Sequence, residues 1–135
     1  MAKAKEFRVT IEDRPAALGS TCVALAEGGV NILAFQSFVE QGESLARFVV
    51  DNPASALTVL RNLRANFEED DVAVVTLQHR PGELGRAAML LGQSRININY
   101  SYCGLQPGSV LPMAVFGVDQ VTRAAALLDE FEAKP

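Results

Sequence analysis

The hydrophobic and polar positions of this chain predict one order of strands and helices, and they predict it twice. Residues 6–12 alternate between apolar and polar side chains, which is typical of a strand with one buried face. An apolar stripe at helical spacing follows and ends at Gly28-Gly29. Two strands joined by a turn come next, and Asp51-Asn52-Pro53 starts a second helix, as Asp119 does in the second half. Each half is therefore predicted as strand–helix–strand–strand–helix.

The two halves also share a motif at a constant spacing. The stretch Asp13–Gly19 returns as His79–Gly85, 66 positions later, with the arginine, proline, leucine and glycine unchanged. The same offset places Val30–Ile32 on Ile96–Ile98, each with a central asparagine. One gapless offset that links two separated motifs indicates a tandem repeat.

The predicted fold class is α+β, with two ferredoxin-like βαββαβ units in tandem at residues 1–70 and 71–135. Each unit is expected to have an antiparallel sheet with its helices on one face, because right-handed crossovers send both helices to the same side. The acidic run Glu68–Asp71 is predicted as a solvated turn at the seam. Val72–Leu77 is apolar on both faces and should be buried on both. The second unit ends before its last strand, which leaves a sheet edge and favours a homodimer.

Composition narrows the class of protein. The chain has 135 residues, 49% of them hydrophobic, and 12 basic against 16 acidic side chains give a net charge of −4. This balance opposes nucleic-acid binding, and no apolar run is long enough for a membrane span or a secretory leader. Cys22 and Cys103 have no partners at metal-ligand spacing, and we interpret them as small buried hydrophobes in a reducing cytoplasm. We expect no metal and no cofactor.

The repeated loop has the chemistry to bind a carboxylate. It joins the first strand to the N-terminus of the first helix, where free backbone N–H groups and the helix dipole favour an anion. Arg14 and Arg80 can clamp a carboxylate, while Asn31 and Asn97 can donate and accept hydrogen bonds. The loop and the asparagine together match the carboxylate and ammonium groups of a free amino acid. The alternative for each residue is structural: a surface arginine, an asparagine that ties down a turn, and a solvated His79.

This pattern resembles the ACT domain, the small-molecule regulatory module of amino-acid metabolism, over nearly the whole chain. The resemblance implies that amino acids bind at interfaces between paired ACT units, through the loop and the start of the second strand. Two residues depart from the loop pattern of the family: Ala16 stands in place of glycine, and His79 stands in place of an acidic or amide residue. These departures leave two possibilities open, either two binding sites or one binding site and one structural pseudo-site. The implied contacts are Asp13, Arg14, Pro15, Ala16, Leu18 and Asn31 in the first unit and His79, Arg80, Pro81, Gly82, Leu84 and Asn97 in the second.

The resemblance implies a non-catalytic, allosteric regulator that binds a free amino acid and acts on a metabolic enzyme, as a cytoplasmic homodimer. Two alternatives stay open. One is a dimerisation or interaction module without a ligand. The other is an enzyme like acylphosphatase, which is disfavoured because the glycine-rich loop is absent and no nucleophile–base pair is visible.

Overall fold

The computed structural model of the protein describes residues 3–133. Strands and helices alternate in the predicted order, and each helix is short. The elements are β1 (Lys3–Ile11), α1 (Ala17–Glu27), β2 (Ile32–Glu40), β3 (Glu43–Val50), α2 (Pro53–Asn62), β4 (Phe67–Thr76), α3 (Glu83–Gln93), β5 (Ile98–Leu105), β6 (Pro112–Val118) and α4 (Val121–Asp129).

The described chain divides into two compact units. One contains residues 5–70, and the other contains residues 71–133 together with residues 3–4. We call them the first and the second unit. The boundaries fall inside β1 and inside β4, so each of these two strands belongs partly to each unit.

The core of the first unit lies between its sheet and its two helices. β3 pairs antiparallel with β1 on one side and with β2 on the other. The alternating positions Phe7, Val9 and Ile11 of β1 are buried under α1 and α2, as the sequence pattern predicts. Full burial of such a side chain stabilises a fold by about 1.5–3 kcal/mol. The core comprises Phe7, Val9, Ile11, Ala17, Leu25, Val30, Ala46, Phe48, Val50, Ala56 and Leu60.

The second unit repeats this arrangement with its own core. β6 pairs antiparallel with β4 and with β5, and α3 and α4 cover one face. Every residue from Val72 to Leu77 is buried, which confirms the prediction of a strand buried on both faces. The core comprises Ala73, Val75, Leu77, Ala87, Leu91, Ile96, Ala114, Phe116, Val118, Ala124 and Leu128.

The repeat extends to irregularities of the backbone. The pairing of β2 with β3 shifts by one residue between Ile32 and Ala34, and that of β5 with β6 shifts between Ile98 and Tyr100. The inserted residues are Leu33 and Asn99, which occupy the same position in the two repeats. A bulge of this kind bends a strand and re-aims its side chains, so the two second strands share one local shape.

The helix termini confirm two of the predicted signals and correct a third. Asn52 caps α2, because its side chain accepts a hydrogen bond from the Ser55 N–H at 3.1 Å, and Pro53 is the first helical residue. Gly29 adopts a left-handed φ of 77° just after α1. Asp119 was the expected cap of α4, but the N-cap is Gln120. The Asp119 carboxylate instead accepts a hydrogen bond from Asn99.

The prediction of two open ferredoxin-like sheets in tandem is wrong. All six strands form one closed sheet, in the hydrogen-bonded order β1-β3-β2-β5-β6-β4. The predicted turn at Glu68–Asp71 is also wrong, because β4 runs through it. Arg8 of β1 forms an ion pair with Glu68, and Lys5 lies 3.8 Å from a carboxylate oxygen of Glu69. Cations on β1 therefore face an acidic run that the sequence pattern assigns to a loop.

The second unit contains no strand after α4 within the described residues. The chain instead makes one short contact with the end of β4. The Ala133 N–H donates to the Thr76 carbonyl at 2.9 Å, and the Glu132 carboxylate accepts from the Thr76 N–H at 3.2 Å. The argument for a homodimer from a free sheet edge is removed, since the closed sheet gives every strand two neighbours.

A glycine on β6 is required by an aromatic ring on β5. Gly117 is the cross-strand partner of Tyr100, and a β-carbon at position 117 would lie 2.1 Å from atoms of the Tyr100 ring. Because real contacts of this kind are much longer, any larger residue has to displace the ring.

We predict that Gly117→Ala lowers the free energy of unfolding by about 1–3 kcal/mol, since overpacking forces the ring and backbone to shift. Urea denaturation measures the loss. The matched control is Gly92→Ala in α3, which faces open space and should stabilise the protein by about 0.5–1 kcal/mol. In a Tyr100→Ala background the cost of Gly117→Ala should disappear. An equal cost in both backgrounds would refute this account.

Candidate functional site

The two repeated loops enter their helices through a left-handed residue. Ala16 has a φ of 68° at the N-cap of α1, and Gly82 has a φ of 89° at the N-cap of α3. Neither helix has a side-chain cap at this residue, so no side-chain oxygen of the N-cap accepts from the first-turn N–H groups. Only Gly82 adopts this conformation without strain, because Ala16 carries a β-carbon.

The first loop carries an exposed arginine with a weak partner. Arg14 Nε lies 2.6 Å from Glu12 Oε2, and the two side chains are 55% and 75% exposed. An ion pair this exposed contributes little to stability because water screens it. Arg14 can therefore exchange Glu12 for another carboxylate at small cost.

A groove of about 370 Å³ lies beside this loop, entirely within the first unit. We call it the Arg14 groove. Its walls come from β1, from α1 and from the connection between α2 and β4. It is lined by Val9, Thr10, Ile11, Glu12, Arg14, Ala17, Ser20, Thr21, Leu63, Arg64, Ala65 and Asn66.

The second loop already contains a carboxylate. Glu83 is the first residue of α3, and only 6% of it is exposed. Its Oε1 accepts from Arg80 Nε at 3.0 Å and from Arg86 Nη1 at 2.9 Å. Arg86 also lies over the Phe131 ring, 5.5 Å from its centroid. The repeat-equivalent of Glu83 in the first unit is Ala17, which has no polar atom on its side chain.

The structure does not bring Asn31 to the loop of its own unit. Ile11, at the end of β1, is level with Ser44 of β3, whereas Ile32 is level with Val50. The rise of about 3.3 Å per residue separates these levels by roughly 20 Å. Asn31 instead exchanges hydrogen bonds with Asp51, its N–H donating to the carboxylate at 2.9 Å and its carbonyl accepting at 3.1 Å.

Asn97 has the same position in the second unit. Leu77 donates its N–H to Pro112 at one end of β6, whereas Ile98 is level with Val118 at the other end. The Asn97 amide lies 3.4 Å from the side-chain oxygen of Asn99. Asn31 uses its backbone groups in these bonds, and Asn97 bonds another side chain. The alternative of an asparagine side chain that ties down the turn therefore stays a prediction, as does contact with a ligand.

The two leucines of the motif differ in exposure. Leu18 packs against the first core and lines a second cleft of about 300 Å³, whereas Leu84 is 46% exposed. This cleft lies between α1 and the β2–β3 hairpin. Its lining is mainly apolar and consists of Ile11, Leu18, Ser37, Phe38, Val39, Ser44 and Leu45.

The other predicted loop residues are exposed to solvent. Asp13 and Pro15 precede α1, and His79 and Pro81 precede α3. In each unit these residues lie beside the arginine of the loop. The structure therefore places Asp13 to Leu18 together at one loop and His79 to Leu84 together at the other. It does not add an asparagine to either group.

Sequence reasoning missed two residues at these loops. Glu83 was overlooked although the repeat contains a signal for it, since a charged residue stands where the first copy has a buried alanine. Arg64 has no such signal. It reaches the Arg14 groove because it lies just after α2 with a φ of 55°, and only the folded chain places it beside α1.

The metal-ligating side chains, thiols and helix lengths of the described chain also bear on its chemistry. Residues 3–133 contain no cluster of three histidine, cysteine, aspartate or glutamate side chains suited to a metal ion. Partial burial of the sulfur atoms raises the pKa of both the Cys22 and Cys103 thiols, so they stay protonated at neutral pH. Both thiols are free, but the Cys22 residue is only partly buried and the Cys103 residue is exposed overall, so their interpretation as buried residues is wrong. No helix among these residues has the length and apolar character to cross a membrane.

Comparison with known proteins finds similarity in structure alone. No protein-family model and no curated protein matches the sequence. The protein BT0572 from Bacteroides thetaiotaomicron is 19% identical with a TM-score of 0.83, over 96% of this chain and 89% of that one. The ligand-free regulatory subunit of aspartate kinase from Thermus thermophilus is 16% identical with a TM-score of 0.64, over 96% and 91%. That from Thermus flavus is 17% identical with a TM-score of 0.61, over 98% and 94%. The resemblance to the ACT family is thereby confirmed at the level of the fold.

We predict that exchanging alanine and glycine at the two N-caps changes the free energy of unfolding in opposite directions. Ala16→Gly should raise the free energy of unfolding by about 1 kcal/mol, because it removes the left-handed strain of a β-carbon. Gly82→Ala should lower it by about 1–2 kcal/mol for the same reason. Urea denaturation of both variants checks the pair. Effects of the same sign would contradict the assigned backbone conformations.

Proposed function

We propose that this chain, which has the fold of the regulatory subunits of aspartate kinase, is a non-catalytic regulatory protein of amino-acid metabolism. Its ligand is a free amino acid. The observation that carries the proposal is the Arg14 groove, where cationic, anionic and apolar groups surround a volume of ligand size.

The groove offers a partner for each part of an amino acid. Arg14 and Arg64 supply cations for the carboxylate, and the N-terminus of α1 adds the positive end of its dipole. Glu12 supplies a carboxylate for the ammonium group, and the Asn66 amide can donate or accept. The apolar members of the lining leave room for a side chain. A volume of about 370 Å³ lies within the usual range for small-molecule sites.

The chemical groups of this chain fit a regulatory protein that carries out no catalysis. The thiols are protonated at neutral pH, and His79 is an exposed loop residue with no nucleophile paired to it among the described residues. Any effect on metabolism then passes through a partner protein, which we propose to be a metabolic enzyme. Allostery of this kind is a coupling free energy between the binding of the amino acid and the binding of the enzyme. Free thiols suit the reducing cytoplasm as its place of action.

A homodimer gives Asn31 and Asn97 a route to the ligand. Each asparagine stands at the far end of its own unit from that unit's loop. In the proposed homodimer a second copy of the chain supplies an asparagine beside Arg14. In a monomeric binder Asn31→Ala leaves affinity unchanged. Loss of binding in Asn31→Ala, together with a dimer in solution, supports a site shared between two copies.

A second candidate function is a protein-interaction module without a ligand. The observation in its favour is a set of exposed apolar residues at equivalent positions of the repeat. Val23 and Met89 are 56% and 60% exposed on α1 and α3, and Val39 and Leu105 are 71% and 58% exposed on β2 and β5. Repetition of such residues is unusual on a surface that contacts only water.

We predict that one or a few amino acids at millimolar concentration raise the midpoint of thermal unfolding, whereas the rest do not. A ligand at about a hundredfold its Kd stabilises the folded state by roughly 2.7 kcal/mol. The measurement is thermal unfolding with each proteinogenic amino acid in turn. A flat panel rejects the amino-acid ligand and leaves the interaction module.

We predict that Arg14→Ala abolishes the shift seen in that panel, with at least about a tenfold loss of affinity, because a charge-assisted hydrogen bond contributes about 1.5–3 kcal/mol. The control is Arg123→Ala, an exposed arginine of α4 outside the groove, which should keep the shift. A full shift in Arg14→Ala would place the amino acid elsewhere.

A further inference from the structure

The carboxylate of Glu83 stands where the repeat would place the carboxylate of a ligand. Arg80 and Arg14 are repeat-equivalent, and each lies beside the N-terminus of a helix after a left-handed residue. In the second unit this arginine holds a carboxylate of its own chain at 3.0 Å. The second loop therefore shows, inside the same molecule, what the first loop is built to hold.

We infer that Glu83 is an internal substitute for a bound carboxylate, which makes the second loop a filled pseudo-site and leaves the first loop as the one that accepts a carboxylate from solution. The inference rests on the proposed function only for the identity of the ligand as an amino acid. The carboxylate preference itself comes from the pairing in the second unit.

Burial makes this internal pairing persistent. Glu83 is 6% exposed and is held by two arginines, Arg80 and Arg86, whereas Glu12 beside Arg14 is 75% exposed and has one. A carboxylate of the same chain is also present at a high effective concentration, so an external carboxylate competes poorly for Arg80. Arg14 has no buried competitor at the equivalent position, because Ala17 replaces Glu83 in the first unit, and its partner Glu12 is screened by water.

The residue three positions after Glu83 supports the same assignment. Arg86, the second partner of Glu83, has Ser20 as its equivalent, and Ser20 lines the Arg14 groove. At these two positions the first unit therefore lacks both the buried carboxylate and the arginine that balances it. A change from an open loop to a filled one requires both differences, a carboxylate at the first position and a second arginine at the other.

The test follows the side-chain Nε–H resonances of Arg14 and Arg80 by NMR while sodium acetate, a plain carboxylate, is added to the full chain. In the wild-type protein we expect Arg14 to respond and Arg80 to stay unchanged. In Glu83→Ala we expect Arg80 to respond as well, with an affinity for acetate about tenfold or more above its wild-type value. Glu83→Gln provides a variant of the same shape should the alanine variant fold poorly.

The reverse experiment fills the first loop. Ala17→Glu with Ser20→Arg copies the second unit, in which a buried glutamate is already accepted at this position, and should remove the response of Arg14 to acetate. The control is Ala17→Gln with Ser20→Arg, which has the same bulk without the carboxylate and should keep the response.

Three results would overturn the inference. They are an Arg80 response in the wild type equal to that of Arg14, no Arg80 response in either Glu83 variant, or no Arg14 response in the wild type. A flat amino-acid panel together with the expected acetate responses has a different meaning. It rejects the amino acid as the ligand but supports the filled and open loops.

Discussion

The antiparallel register of β3 with its two neighbours is the constraint on which the arrangement of the candidate site depends. It places the end of β1 at one end of the sheet and the start of β2 at the other. A loop and an asparagine that belong to one sequence motif are therefore separated within each unit by the length of a strand. Groups near the loop in space come instead from the first turn of α1 and from the residues after α2, which the register brings to the same end.

Electrostatics then distinguishes two loops of nearly the same sequence. Both place an arginine beside an uncapped helix N-terminus, which favours a negative charge. In the second unit a buried glutamate and a second arginine supply and balance that charge. In the first unit the carboxylate that pairs with Arg14, that of Glu12, is largely solvated and so contributes little. The difference between a filled loop and an open one is thus a matter of two residues and of how much water surrounds them.

The fold itself depends on strands that belong to both units. β1 and β4 cross the boundary between the halves, and β4 does so through four consecutive acidic residues. Such a run is a poor strand former in isolation and is normally a solvated turn. Lys5 and Arg8 of β1 lie beside this acidic run, and its carboxylates stay exposed to water while the backbone is paired in the sheet. Tertiary context overrides local propensity here, which is why two open ferredoxin-like units in tandem are the natural but mistaken expectation.

The sequence by itself determined the tandem repeat, the order of the elements, the Asn52 cap, the double burial of Val72–Leu77 and the resemblance to the ACT family. These follow from periodicity and from short-range chemistry, which depend on residues close together in the chain. Only the tertiary structure decided that the sheet closes, that Asn31 lies far from its loop, and that Arg64 lines the Arg14 groove. Strand register and contacts between distant residues decide those points, and no local pattern carries that information.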